Sequence, residues 1–425
     1  MRLLAFILFL PLSGFTQTNT WADSVANIIY DNCSYCHRTG GIAPFELMNY
    51  QDAVDAGSYI YHRVEINEMP PWPADPHYRR FAHEEILTYE EKTTILQWMD
   101  QGFEFGNPAN EPLPPYFAPN GSNLETIDLT LAIDPYTLQT NTDEYRYFAI
   151  ENPFPETIYI NKIEVIAGLD QVVHHADVSY DDTGISLAND QADPLSGFNG
   201  NTGSPNYSFY MNAWQPGGNI AAYPEGWGIA VPPGVDFVME IHYGPGGIGL
   251  TDSTKMHFEF VTNTSNVRPI SVGWLLGQSP PIMVDGPLVI PANEVVTFHQ
   301  ERTLTSNMSF ISICPHMHLL GKSYKIWAVT PDNDTIQLIH IPQWDLHWQK
   351  YYMFREVQVL EAGTTIYSEG VYDNTLANHD NPFNPPQTVY QGSSTLDEMF
   401  LTYFIYAPYQ AGDENVILDD SPLVS

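Results

Sequence analysis

Between residues 19 and 104 the apolar positions recur at helical spacing. Trp21, Val25, Ile28 and Ile29 fall on one face. Thr88 followed by Glu91 has the form of a capping box, Ile95, Trp98 and Met99 follow on one face, and Gly102 marks the stop. The pattern predicts a small all-α domain over 17–104. Residues 105–122 hold Pro108, Pro112, Pro114, Pro115 and Pro119 with no helical period, so 105–125 reads as a semi-rigid linker. Beyond about residue 125 the period drops to two. Strands are predicted at 145–150, 157–167, 235–243, 255–261 and 310–313. Two more, at 322–330 and 335–341, flank a Pro-Asp-Asn-Asp turn and read as a hairpin. This long run of short strands predicts two jelly-roll-like β-sandwiches in series, 126–281 and 282–425. The expected fold class is therefore multidomain: an all-α domain, then two all-β sandwiches.

The first sixteen residues, MRLLAFILFLPLSGFT, place Arg2 before an apolar run from 3 to 12, then Ser13 and Gly14. These are the n- and h-regions of a signal peptide over 1–16. The run is too short to span a bilayer, which takes roughly 20 residues. No later segment is long and apolar enough, so no membrane span is expected. The chain is expected to be periplasmic or secreted. No cysteine follows the run, which argues against a lipoprotein anchor.

Charge narrows the partners. The 425 residues carry 51 acidic and 15 basic side chains, a net charge of −36. Nucleic acid and anionic membrane surfaces need Lys and Arg to neutralise phosphate, so neither is expected as a partner. Three cysteines exclude a disulfide-stapled scaffold.

The first chemical motif is Cys33-Ser34-Tyr35-Cys36-His37. Two thiols at this spacing can add to the two vinyl groups of one haem, with the adjacent histidine on the iron. A zinc knuckle would need two more ligands nearby, and a redox dithiol would expect a βαβ context. Here the chain resembles the c-type cytochromes. The resemblance implies one covalent haem c on Cys33 and Cys36, with His37 proximal and Met69 distal. His62, His77 and His83 compete for the distal place, and a core methionine is the alternative reading of Met69. Cys314 then has no intrachain partner and reads as a small buried side chain.

The second group is imidazole-rich. His174-His175 follows Val172-Val173, His242 ends a predicted strand, and His316-Met317-His318 follows Ile313-Cys314-Pro315. On a strand, His316 and His318 share one face and can share one metal. Adjacent His174 and His175 would point oppositely unless the backbone bulges there. Each group alone is also compatible with a structural role. Met399 precedes an aromatic strand; it could be core or a soft ligand, and two imidazoles with a thioether suit copper cycling through Cu(I).

At these residues the chain resembles the copper type II ascorbate-dependent monooxygenases, which include the peptidylglycine and dopamine hydroxylases. The matching pieces are Val173-His174-His175, Ile241-His242-Tyr243, His316-Met317-His318-Leu319-Leu320-Gly321-Lys322 and Thr395-Leu396-Asp397-Glu398-Met399, in family order. The resemblance implies two coppers in two β-sandwiches. His174, His175 and His242 would hold the electron-transfer copper. His316, His318 and Met399 would hold the copper at which O2 and substrate meet. Tyr403 matches a substrate-site tyrosine of the peptide hydroxylase. That enzyme has an arginine two residues before its H-x-H, whereas this chain has Cys314, so peptidylglycine is not the expected substrate.

The function expected from the resemblance is hydroxylation of a C–H bond of a small organic substrate with O2. Electrons would come from the fused haem, from an external donor, or from ascorbate as a candidate reductant. The alternative is a haem–copper electron-transfer or copper-binding protein without oxygenase activity. A blue-copper reductase would need a thiolate ligand, for which only Cys314 is near. Asp177, Asp181 and Asp182 read as a solvated acidic turn ahead of a calcium site. His257, His299, His340, His347 and His379 have no partner at ligand spacing.

Overall fold

The computed structural model describes residues 18–39, 41–117, 121–200, 204–215 and 220–423; the expected signal peptide, 1–16, lies outside the described residues. Among the described residues the chain is mostly β, with 35% strand, 15% helix and five α-helices. No described helix is long and apolar enough to cross a membrane.

The expected N-terminal all-α cytochrome c domain is not present. The helices found there are short: a π-helical turn Trp21–Val25 running into Ala26–Asn32, then Tyr50–Asp55, Gly57–Glu65 and Tyr89–Asp100. The last starts at the predicted capping box, in which Thr88 accepts from the Glu91 amide and the Glu91 carboxylate accepts from the Thr88 amide. A small core around Trp21, Ile29, Ile95 and Trp98 joins them. Residues 66–88, however, form no helix. Trp72, Ala74 and Phe81 pack into the core of the second sandwich instead. Phe81 forms a β-bridge with Phe354. The Asp75 and Ala82 amides each donate over 2.8 Å, to the carbonyls of His340 and Met353. The region is thus a set of helical turns tied to a β-protein.

In the first sandwich, one sheet orders Leu129–Ala132, Lys255–Phe260, Ile158–Ile166, Trp227–Val231 and Arg268–Pro269, with Ala221–Ala222 beside Ile158–Ile166. Three strands of the facing sheet carry site residues: β1 (Glu144–Glu151), β2 (Val173–Asp181) and β3 (Asp236–Tyr243). β3 lies between β1 and β2, antiparallel to both. Its alternation divides the faces. Phe237, Met239, Ile241 and Tyr243 enter the sandwich core, which leaves Val238, Glu240 and His242 on the opposite face.

The second sandwich contains β4 (Met308–His316) and β5 (Leu401–Pro408), which are paired and flanked by Tyr352–Leu360 and Ser271–Leu276. This sandwich therefore begins ahead of residue 282. Its facing sheet orders Val295–Thr303, Thr365–Asp373, Gly321–Val329 and Thr335–Ile341. β4 is buried along nearly its whole length because its sheet is covered on both faces. Phe310 and Ile313 enter the second core. Ile311 joins Ile405 and Ala407 in the core of the first sandwich. This shared apolar interface sets the two site-bearing sheets against each other.

Candidate metal centre

His174, His175 and His242 come together. Their ring centroids are 6.0 Å apart for His174–His175, 5.0 Å for His174–His242 and 4.9 Å for His175–His242. One nitrogen from each ring can be chosen so that all three lie within 4.8 Å of one another. The backbone makes this possible by the departure from alternation that two adjacent histidines require. His242 pairs with His175 and Tyr243 with Val173, so His174 is the extra residue of a β-bulge.

The shell around this set is defined. His242 Nε2 donates to Asp143 Oδ1 over 2.9 Å, which leaves Nδ1 without a proton. That Nδ1 is buried with no protein partner, as is His174 Nδ1. Tyr145 stacks on the His242 ring, with centroids 4.2 Å apart and planes 4° from parallel. Burial, then the neighbouring imidazoles, pushes His174 down to about 4 and His175 well below the usual histidine range. Burial also lowers His242, with Asp143 opposing it. All three are neutral at neutral pH, the form that binds metal.

His316 and His318 form a second group, with centroids 5.1 Å apart and planes at 89°. Met317, between them, is fully buried in the second core. His316 Nδ1 bonds Gln349 Oε1 at 2.5 Å, and His318 Nδ1 bonds the Asp397 carbonyl at 3.0 Å. Both contacts are to acceptors, so both rings carry the proton on Nδ1 and keep an Nε2 lone pair. Burial pushes His316 down to about 3 and lowers His318. Glu398 clasps this segment: its carboxylate accepts from the amides of His318 (2.9 Å), Leu320 (2.6 Å) and Met399 (3.3 Å).

Both groups line one cavity of about 850 Å³, together with Met399, Tyr403, Cys314, Tyr210, Asp177 and Glu240. Tyr403 pairs across the ladder with Cys314, so both face the cavity. It stacks on Tyr210 at 5.4 Å and meets Trp274 edge-on at 5.8 Å. Among the described lining residues no Lys or Arg occurs. Cys314 is buried, as expected for a small apolar side chain. Asp181 is committed to its own turn, accepting from the amides of Thr183 and Ser186.

Cys33, Cys36 and His37 lie in the turns after the first helix. His37 Nδ1 bonds the Phe45 carbonyl at 3.0 Å and its ring packs 4.6 Å from Phe45. Burial raises the thiols, Cys33 to about 12 and Cys36 to about 11; Glu85, Lys350 and Arg38 also act on Cys36. Neither is a thiolate at neutral pH, which disfavours dithiol exchange. Met69 is half-buried beyond Gly57–Glu65, while His62, His77 and His83 are exposed.

Asp143, Tyr145, Gln349 and Glu398 are site residues that sequence reasoning missed. Glu398 stood inside a quoted segment, but the other three carried no signal. His347, set aside as unpartnered, has its ring 6.4 Å from that of His174.

Comparison with known proteins finds a family match in the C-terminal part of the chain. Residues 287–417 match the family described as copper type II ascorbate-dependent monooxygenase, C-terminal domain. That match supports a copper-dependent monooxygenase, an oxidoreductase. No curated protein matches. Among solved structures, the chain is similar to PNGase F, a glycosylasparaginase from Flavobacterium meningosepticum, at 10% identity over 66% of this chain and 96% of that one, with a TM-score of 0.28. It is similar to PNGF-II at 9% identity over 66% of each chain, also at 0.28. These TM-scores are too low to argue a shared fold.

Proposed function

We propose that this protein is an exported copper-dependent monooxygenase that hydroxylates a C–H bond of a small organic substrate. One observation carries the reading: a single cavity gathers His174, His175 and His242 from the first sandwich and His316, His318 and Met399 from the second. The donor sets fit copper. The first offers three neutral imidazoles with two buried, unpartnered Nδ1 atoms. The second offers two Nε2 lone pairs, with the Met399 thioether in the same cavity lining, a soft set suited to Cu(I). Copper bound there would supply one-electron chemistry and O2 activation.

The chain's own residues then orient and select. Asp143 holds the His242 tautomer, and the Asp397 carbonyl holds that of His318. Tyr403 and Tyr210 offer an aromatic wall. With Asp143 and Glu144 in the lining, the Asp177 and Glu240 carboxyls pushed up by burial, and no Lys or Arg among the described lining residues, the cavity offers a carboxylate no cationic partner and favours a neutral or cationic substrate.

Electron supply is a further part of the proposal. Haem attachment at Cys33, Cys36 and His37 is supported by the motif and by the His37 Nδ1 bond to Phe45, which leaves Nε2 free for iron. The apolar run at 3–12 supports export, where such attachment occurs. A purified protein without a haem spectrum would remove this part and leave ascorbate or another external donor.

Metal analysis of the purified chain should find about two coppers, and His316→Ala should remove one. Substrate-dependent O2 uptake should vanish in Met399→Ile with the first copper retained. A chain that binds no copper, or uptake indifferent to Met399→Ile, overturns the reading; undiminished electron flux in that variant would instead indicate an electron carrier.

A further inference from the structure

We infer that Gln349 is the positioning residue of His316, and that the segment 344–350 ties the second ligand set to the N-terminal helical region. The inference rests on the copper reading above. His316 is the last residue of β4, where the ladder ends, and its ring orientation depends on one side chain. His318, by contrast, is held by a backbone carbonyl.

Gln349 is itself fixed. It is 7% exposed, and its Nε2 donates to the Leu346 carbonyl over 2.9 Å. A flipped carboxamide would set oxygen against that carbonyl and NH2 against the protonated Nδ1. The amide therefore has one orientation, and through it His316 has one tautomer.

The neighbours of Gln349 reach outward in two directions. Lys350 Nζ pairs with Glu85 Oε2 at 2.7 Å and stands 5.3 Å over the Trp72 ring. Lys350 is nearly buried, with 8% of its side chain exposed, so this pair is screened less than a surface one. Trp344 Nε1 donates to the His318 carbonyl over 3.2 Å. His347 brings its ring to 6.4 Å from His174. One short segment thus touches both candidate ligand sets and, through Glu85 and Trp72, the region that carries Cys33, Cys36 and His37. The geometry of His316 is set in part by that region.

The test measures copper affinity of the full chain by competition with a chromophoric chelator, together with the Cu(II) paramagnetic resonance spectrum. Gln349→Leu keeps the volume and removes the acceptor. It should weaken one of the two coppers by about 10- to 100-fold and leave the other unchanged. Gln349→Glu restores the acceptor for His316 Nδ1 but turns its second oxygen toward the Leu346 carbonyl, so it should recover only part of that affinity. Lys350→Met should weaken the same copper by a smaller factor and add little to Gln349→Leu in the double variant. Unchanged affinity and spectrum in Gln349→Leu overturn the positioning role, and full additivity with Lys350→Met overturns the tie. A wild-type chain that binds no copper fails the parent reading, and this inference with it. If Gln349→Leu does not fold, Gln349→Ala also removes the acceptor, and an unchanged affinity there overturns the positioning role in the same way.

Discussion

Burial holds His174, His175 and His316 neutral well below the ordinary histidine range, with His174 near 4 and His316 near 3, and it lowers His242 and His318. The sign of the consequence is fixed. Between about pH 6.5 and 4 the unfolded chain binds protons that the folded chain does not, so these groups cost the metal-free protein stability as pH falls through that window. Copper affinity should behave differently. A ligand with an ordinary pKa near 6.5 is about 90% protonated at pH 5.5, and three such ligands would lose about a thousandfold in affinity. With imidazoles already neutral, apparent affinity should fall less than about tenfold between pH 7.5 and 5.5. Chelator competition at the two pH values checks this, and a steep loss centred near 6.5 would contradict it.

At the scale of elements, the site depends on two local departures from regular strand. The bulge at His174 turns two adjacent histidines to one side. The end of β4 lets the H-x-H pair converge while Met317 stays in the core. The bulge was legible in the sequence, because two adjacent histidines on one side require a break in alternation, whereas the H-x-H pair reads as regular strand and the strand instead ends at His316. What holds these elements in place was not legible. Asp143 lies 99 residues from His242, and Glu398 lies 80 from His318. Such pairings follow from tertiary packing and leave no local pattern. Glu398 can be tested directly. Glu398→Ala would orphan the amides of His318 and Leu320, at about 1–3 kcal/mol for each buried donor. Thermal denaturation should show that loss, and copper analysis should show the second ion reduced. Glu398→Gln keeps one carbonyl acceptor and should recover about half of the stability.

Over the whole molecule, the sequence showed where strands replace helices but not which units share a core. Apolar spacing in 17–104 registers helices one at a time. It cannot register that the loop between them supplies Trp72, Ala74 and Phe81 to a β-sandwich. The same blindness hid the apolar face of β4 and β5 that closes on the first sandwich, where Ile311 and Ile405 join its core. These shared cores predict that the helical region and the second sandwich unfold together. Phe81 is 1% exposed and stacks on Phe354 at 5.9 Å. Phe81→Ala should cost about 3–5 kcal/mol in the transition of the second sandwich, though the residue lies far from that sandwich in sequence. Scanning calorimetry checks this. A separate transition for residues 18–104, with the sandwich transition unmoved by Phe81→Ala, would show instead that the helical region is an independent unit, and the tie through Lys350 and Trp72 would then lose its structural basis.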